Sequence, residues 1–393
     1  MMLAGSPEGD ETKRFDFAKW PRAAAFWLLI ATLAWAPFPL GSAVSWGAPL
    51  LELMIAFSWV LWAISTIGDG REGVANLRAI AVPAAIVLVV LAWTVVQTLP
   101  IAPETWAHPI WSMTAQSLQR PVPGVVSIDP WRTHAETLKL AGYAAAFWLA
   151  FVMARRTEMA RTLLNAVVVI SALYAAYAFA LAIFDLAQAG LIYAVPFPRA
   201  FISGPFMLHN TFATFEGLGT LAATLLLFDL GRESVIVHRG LRPLLQSTLQ
   251  FVFGRGAPVV IAALLSFSAV IASASRAGFV ATATALLAMT IVSAVLARRS
   301  RARGWTVAAA VASLVAIFAV IMLNGDTLGD RLAQLTDAGD SYQIRLALWG
   351  RCLAHDWRCT MAGFGPGNVS GRLSTLCPAN PPVCYGQGSL RLS

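Results

Sequence analysis

The stretch Ala257–Ala297, APVVIAALLSFSAVIASASRAGFVATATALLAMTIVSAVLA, contains 41 residues and a single charged side chain, Arg276. One membrane span needs about 20 apolar residues, so this stretch is long enough to cross a bilayer twice. Because Arg276 lies near the midpoint, in the small-residue run 273–278, we predict a hairpin of two helices with Arg276 at its tip. An arginine at the centre of a span costs about 2.5–3.5 kcal/mol on insertion scales. At the tip the charge still needs a partner, which is water, a lipid phosphate or an anionic substrate.

The composition of the chain is that of an integral membrane protein. Its 393 residues are 58% hydrophobic and 12% charged, whereas a soluble domain carries about 25% charged residues. The net charge of +8 does not indicate binding to nucleic acid, because the basic residues fall in short blocks between apolar stretches. The first twenty residues are mostly polar, and the apolar stretch that follows is long enough to remain as an anchor, so we predict no cleaved signal peptide.

The apolar segments predict an all-α, polytopic membrane protein with about nine transmembrane helices. We divide the chain into an N-terminal tail, 1–22, a transmembrane domain, 23–323, and a C-terminal tail, 324–393. The predicted spans are 23–41, 44–67, 79–98, 138–154, 163–188, 211–230, 257–273, 279–297 and 305–323.

The basic residues orient these spans. Seventeen of the lysines and arginines fall on one side of the predicted bilayer, and five fall on the other side before residue 323. The positive-inside rule therefore places the N-terminal tail in the cytoplasm. The same alternation places Arg199, Arg276 and the C-terminal tail, 324–393, outside it.

Two outer segments are more than short turns. Residues 99–137 are rich in proline and tryptophan, which predicts a loop on the outer membrane surface, and residues 189–210 form the second outer loop.

All four cysteines lie in the C-terminal tail: Cys352, Cys359, Cys377 and Cys384. A location outside the cytoplasm permits disulfides, and three pairings are open. Both close pairs are seven positions apart, a spacing that disfavours zinc.

Three arginines are candidates for binding phosphate on the outer side, because the planar guanidinium matches phosphate oxygens. Arg276 is the strongest, since no carboxylate is near it in the sequence; alternatively it extends to the lipid headgroups. Arg199 precedes the Gly204–Pro205 turn, where it could equally be a plain loop charge. Arg345 shares a helical face with aromatic side chains, which also fits an amphipathic surface helix.

Two side chains near the start of the sixth predicted span are candidate proton acceptors. His209 lies at its mouth, and Glu216 lies one to two turns inside. Histidine accepts a proton near neutral pH. A carboxylate within a membrane span is energetically costly, so its presence there indicates a functional role. The alternatives are an interfacial histidine bonded to backbone and a glutamate that pairs with an arginine or another helix.

Four segments, in this order, resemble the O-antigen ligase and polymerase family of bacterial envelope proteins. They are Ser127-Ile128-Asp129-Pro130-Trp131-Arg132-Thr133; Gly204-Pro205-Phe206 through Asn210 to Gly219; Ser275-Arg276-Ala277-Gly278; and Arg345-x-x-x-Trp349 followed by Gly363-Phe364-Gly365-Pro366-Gly367. They extend from residue 127 to residue 367 and fall on the predicted outer side.

The resemblance implies a glycosyltransferase at the outer face of the bacterial inner membrane, with a periplasmic C-terminal tail. Such enzymes move a glycan from an undecaprenyl-diphosphate carrier to an acceptor hydroxyl, on a glycan or on lipid A-core, without a metal or other cofactor. By resemblance, Arg276 and Arg345 would bind the leaving diphosphate, and Arg199 remains a further candidate from its position before the Gly204–Pro205 turn. Asn210, which matches the second asparagine of the family pattern, would bind substrate. A base would deprotonate the acceptor hydroxyl, and His209 and Glu216 are the candidates for it from their residue types.

Two departures from the family pattern bear on activity. Leu208 stands where many members carry the first of two asparagines, and ligases carry a later histidine followed by further spans. We therefore expect a C-terminally short member, and the alternatives stay open: a ligase, a chain polymerase, or a non-catalytic partner or lipid-glycan binder. A transporter is disfavoured because few charges lie inside the predicted spans.

The predicted orientation can be tested with alkaline phosphatase, which needs disulfides and so is active only outside the cytoplasm. We expect fusions truncated after residue 200 to be active and fusions truncated after residue 158 to be inactive. A cytoplasmic reporter such as β-galactosidase should show the opposite pattern, and the same reporter result at both positions would contradict the topology.

Overall fold

The computed structural model describes residues 19–68, 80–101, 103–184, 201–234 and 241–296. These residues form α-helices and connecting turns, which confirms the all-α prediction for the described part of the chain. The helices are α1 Lys19–Trp35, α2 Gly47–Gly68, α3 Ala81–Val96, α4 Ile110–Leu118, α5 Pro130–Met153, α6 Thr157–Ile183, α7 His209–Ser234, α8 Leu241–Phe253, α9 Ala257–Ala272 and α10 Arg276–Leu296. The chain divides into two compact units, residues 1–73 with 146–328 and residues 74–145 with 329–393.

Within the described ranges, four helices are long and apolar enough to cross a membrane, and they lie in α2, α6, α7 and α10. A fifth span is possible if α8 and α9 count as one, although they are bent by 77°. Nine spans are not confirmed. Helices α1 and α3 have 17 and 16 residues, or about 24–26 Å at 1.5 Å per residue, which is less than the hydrocarbon thickness of about 30 Å. The predicted span 305–323 lies outside the described residues.

Several predicted boundaries are wrong, and local chemistry explains each error. Helix α1 ends at Trp35 rather than at 41, because Pro37 and Pro39 follow and cannot continue a helix. Helix α5 begins at Pro130 rather than at 138. The carboxylate of Asp129 accepts a hydrogen bond from the amide of Arg132 at 3.0 Å, which caps the new helix.

The predicted outer loop 99–137 is more ordered than the sequence suggested. It contains a 3₁₀ turn, Glu104–Trp106, helix α4 and the start of α5. Ser127 holds this segment together: its amide donates to the Gln97 carbonyl at 2.9 Å, and its carbonyl accepts from the Trp111 indole at 3.0 Å. Its hydroxyl lies 2.8 Å from that of Thr133. Ser127 and Thr133 are both fully buried.

Helix α7 lies at the centre of the unit that contains it. In the most apolar 18-residue stretch of α7, 61% of the residues are buried, whereas in the corresponding stretches of α2, α6 and α10 the share is 22–28%. Helices α6, α9 and α10 all pack on α7, and α9 and α10 pack more extensively on α7 than on each other. The predicted pair of helices around Arg276 is therefore separated by α7 along much of its length.

Contacts at the two ends of α7 give the directions of its neighbours. His209, at its start, contacts Ser273 at the end of α9. Asp229, near its end, accepts a hydrogen bond from Arg161 in the first turns of α6. Helices α6 and α9 thus run antiparallel to α7. Helix α10 runs parallel to α7, because its Thr282 lies beside Gly217.

A substitution at Gly219 tests the packing of α6 on α7, because a Cβ atom at this position would overlap the Ser171 hydroxyl. We expect Gly219→Ala to destabilise the protein by about 1–3 kcal/mol through overpacking. The neighbouring Leu218 is 59% exposed, and Leu218→Ala should change stability by only about 0.5 kcal/mol. Unfolding in detergent with increasing SDS, followed by circular dichroism, measures both variants. Equal stabilities would contradict the close α6–α7 contact.

Candidate functional site

The candidate site lies at the corner between α9 and α10. The Ser273 hydroxyl donates to the Val270 carbonyl at 2.6 Å and accepts from the Ser275 amide at 3.2 Å. The Ser275 hydroxyl accepts from the Gly278 amide at 3.1 Å, which makes Ser275 the N-cap of α10. Both serines are buried. The serine and glycine of the Ser-Arg-x-Gly motif therefore build the corner, and Arg276 is the first residue of the new helix.

The side chain of Arg276 is exposed at this corner. It forms no hydrogen bond or ion pair with another residue in the described part of the chain. A positive charge at a helix N-terminus is not favoured by the helix dipole, so local structure gives no reason for an arginine here. An anion bound at this end would be attracted both by the guanidinium and by the first amides of α10.

His209 meets the corner from the first turn of α7. Its Nδ1 atom lies 3.0 Å from the Ser273 carbonyl oxygen. A carbonyl only accepts, so Nδ1 carries the proton and the neutral ring has its lone pair on Nε2. The Phe201 ring lies against the imidazole, with 5.0 Å between the ring centroids. The ring is thus fixed in the tautomer that can accept a proton through Nε2.

The structure therefore places two of the predicted site residues at the same end of the bundle: His209 contacts the Ser273 carbonyl, and Arg276 follows Ser273 by three residues at the start of α10. Asn210 follows His209 on α7 and is exposed at the same end of the helix. Arg199 and Arg345 lie outside the described residues, as do the four cysteines and the predicted tail. Their predicted roles and pairings remain predictions.

Glu216 occupies a different position, inside the bundle. It is completely buried, and it follows His209 by seven residues, or about 10 Å along the helix. The Ser171 hydroxyl of α6 donates to Glu216 Oε2 at 2.8 Å. Ser171 lies 2.7 Å from the Ser266 hydroxyl of α9. Since the one proton of Ser171 goes to Glu216, Ser266 is the donor in that second bond.

This chain of hydroxyls connects three helices through one carboxyl group. Glu216 Oε1 has no hydrogen-bond partner among the described residues. The side chain is not brought beside His209, although the sequence groups the two as candidate bases. The sequence reasoning missed Ser171 and Ser266, because an isolated serine in an apolar span has no distinguishing pattern. The sequence does contain two small residues near Glu216, Gly217 and Gly219, which indicate that another helix packs closely at this point.

The other motifs that carry the family resemblance have structural roles here. Gly204 adopts a φ of +51°, and a Cβ atom would lie 2.8 Å from the Phe212 ring, so a turn at this position needs glycine. Phe206 is buried next to Phe212 and Phe215, at centroid distances of 6.2 and 5.4 Å. The segment from Ser127 to Thr133 caps and anchors α5, as described above.

In the described ranges, no group of three His, Cys, Asp or Glu side chains is placed to hold a metal ion. Comparisons with protein-family models, with curated proteins and with solved structures find no match to this chain.

A substitution at Ser171 tests whether the buried hydrogen bonds from Ser266 through Ser171 to Glu216 stabilise the bundle. Ser171→Ala leaves the Glu216 carboxyl without its donor, and we expect a loss of about 1–3 kcal/mol in unfolding free energy. Ser112 is an exposed serine that donates to the Pro109 carbonyl, so Ser112→Ala is the matched control and should change little. Denaturation in detergent compares the two, and a Ser171→Ala protein as stable as wild type would contradict this role.

Proposed function

We propose that the chain is a membrane glycosyltransferase of the O-antigen ligase type. It would transfer a glycan from undecaprenyl diphosphate to an acceptor hydroxyl in the assembly of lipopolysaccharide or surface polysaccharide, at the outer face of the bacterial inner membrane. The observation that carries this proposal is the contact of His209 with the Ser273 carbonyl, in the corner from which α10 starts at Arg276. A proton acceptor and an exposed guanidinium are the two groups that such a transfer requires.

In the proposed reaction, His209 Nε2 accepts the proton of the acceptor hydroxyl. The acceptor oxygen forms a bond to the anomeric carbon of the glycan, and the bond from that carbon to the diphosphate oxygen breaks. Arg276 binds the leaving diphosphate and stabilises its growing negative charge. Arg345 and Asn210 are proposed as a further diphosphate ligand and a substrate ligand on the basis of the sequence resemblance. Arg199 is proposed as a third diphosphate ligand because it lies in the predicted outer loop 189–210.

The burial of Glu216 supports His209 as the proposed base. A carboxyl with no exposed surface, bonded to the hydroxyl of Ser171, is not accessible to an acceptor hydroxyl. His209 is partly exposed and is held in the tautomer of a base. We therefore assign the base to His209, and to Glu216 the role of holding α6, α7 and α9 in register.

The proposal is tested in a host that lacks its own ligase and polymerase. We expect Arg276→Ala to lower glycan transfer about a hundredfold or more, since it removes charge stabilisation from the leaving group. His209→Ala should lower it by about 10²–10⁴-fold. Arg120 is an exposed arginine in the predicted outer loop 99–137, and Arg120→Ala should remain active. Gels of lipopolysaccharide and carrier-linked glycan, at equal membrane levels of each variant, give the result.

The products also separate the alternatives. Glycan linked to lipid A indicates a ligase, whereas long glycan that stays on the carrier indicates a polymerase. If wild type makes neither product, the enzyme proposal fails, and binding without transfer becomes the better description. Full activity of Arg276→Ala would remove Arg276 from the site.

A further inference from the structure

A cavity lies at the end of the helical unit opposite Arg276. It has a volume of about 50 Å³ and is lined by Arg22, Trp62, Thr66, Val152, Met153, Arg156 and Met159. These residues come from α1, α2, the end of α5 and the start of α6. Its position at the Arg161 end of α6 makes it part of the side that the basic residues predict to be cytoplasmic.

Two positive side chains from separate segments of the chain line this cavity. Arg22 belongs to the first turn of α1, and Arg156 immediately precedes α6. Guanidinium groups bind phosphate oxygens through paired N–H donors. Two such groups from separate segments can hold one phosphate from two directions, which a single surface arginine cannot do.

The start of α6 adds a second attraction for an anion. Arg156 is the N-cap residue of this 27-residue helix and makes no side-chain capping bond, so the first amides are not capped by its side chain. The positive end of the helix dipole is favourable for a phosphate. Glu158 is the acid of this first turn; its side chain is exposed and does not line the cavity.

The inner wall of the cavity is apolar. Met153 is 3% exposed and belongs to a buried cluster with Leu149 and Phe26, against which Trp62 and Met159 pack. A cavity with an arginine-lined polar part and an apolar wall suits an amphiphile, with a phosphate beside the arginines and hydrocarbon against the wall. Basic pockets between transmembrane helices bind anionic lipid headgroups in this way.

We propose that this cavity is a binding site for a phosphate group, carried by an anionic membrane lipid. The site is separate from the proposed glycan-transfer site and does not depend on it. It would fix the starts of α1 and α6 at one membrane surface by joining Arg22 and Arg156 through one headgroup.

The test measures lipid retention by the purified full chain with native mass spectrometry, in titrations with phosphatidylglycerol and with phosphatidylcholine. We expect wild type to prefer phosphatidylglycerol. Arg22→Gln and Arg156→Gln should each weaken its binding by about tenfold or more, because each removes a charge-assisted pair. Arg242, an exposed arginine near the start of α8, gives the control variant Arg242→Gln, which should bind as wild type.

Two further arms make each result decisive. In the first, inorganic phosphate competes with the lipid in the same titration. Displacement of the lipid that depends on Arg22 and Arg156 supports the phosphate site. Binding of inorganic phosphate without any preference for phosphatidylglycerol would instead assign the site to a soluble anion. Arg156→Lys retains the positive charge and replaces Arg156→Gln in the test if the glutamine variant does not fold. It should bind phosphatidylglycerol with an affinity between those of wild type and Arg22→Gln. Equal binding by wild type and both glutamine variants, or an equal loss in Arg242→Gln, overturns the proposal.

Discussion

The close approach of α6 and α9 to α7 around Glu216 is the constraint on which the rest of this unit depends. Hydrocarbon offers no hydrogen bonds, so polar groups inside a membrane bundle must be satisfied by the protein itself. Here the Ser266 and Ser171 hydroxyls lead to the Glu216 carboxyl across three helices. That arrangement needs backbones that lie close together, which Gly219 permits because it has no side chain to fill the space.

Once the three helices are held together, their ends have little freedom. The start of α7 must meet the end of α9, which places His209 against the Ser273 carbonyl. The same carbonyl belongs to the corner that starts α10, so Arg276 begins its helix at the end of the bundle where His209 lies. A buried contact in the middle of the bundle thereby sets the geometry of its end, where the proposed chemistry takes place.

The location of most helices was predictable, because a run of apolar residues needs a helix to satisfy its backbone in a membrane. Their ends were less predictable, because ends depend on single residues such as Pro37 or Asp129. Helix α8 was missed altogether, because its sequence mixes arginine and glutamine with leucine and phenylalanine. In the structure, Phe251 of α8 packs on Leu227 and Leu230 of α7. The candidate bases could be found by residue type, but their accessibility could not.

The sequence by itself determined the all-α class with apolar helices long enough for a membrane and the lone arginine at a helix start, because each depends on composition or on neighbours in the chain. The tertiary structure decided which polar residues meet. Seven residues of one helix separate His209 from Glu216, yet one lies at the helix end and the other in the core. Sequence spacing cannot reveal this difference, since burial and tautomer are set by α6 and α9, whose residues are distant in the chain.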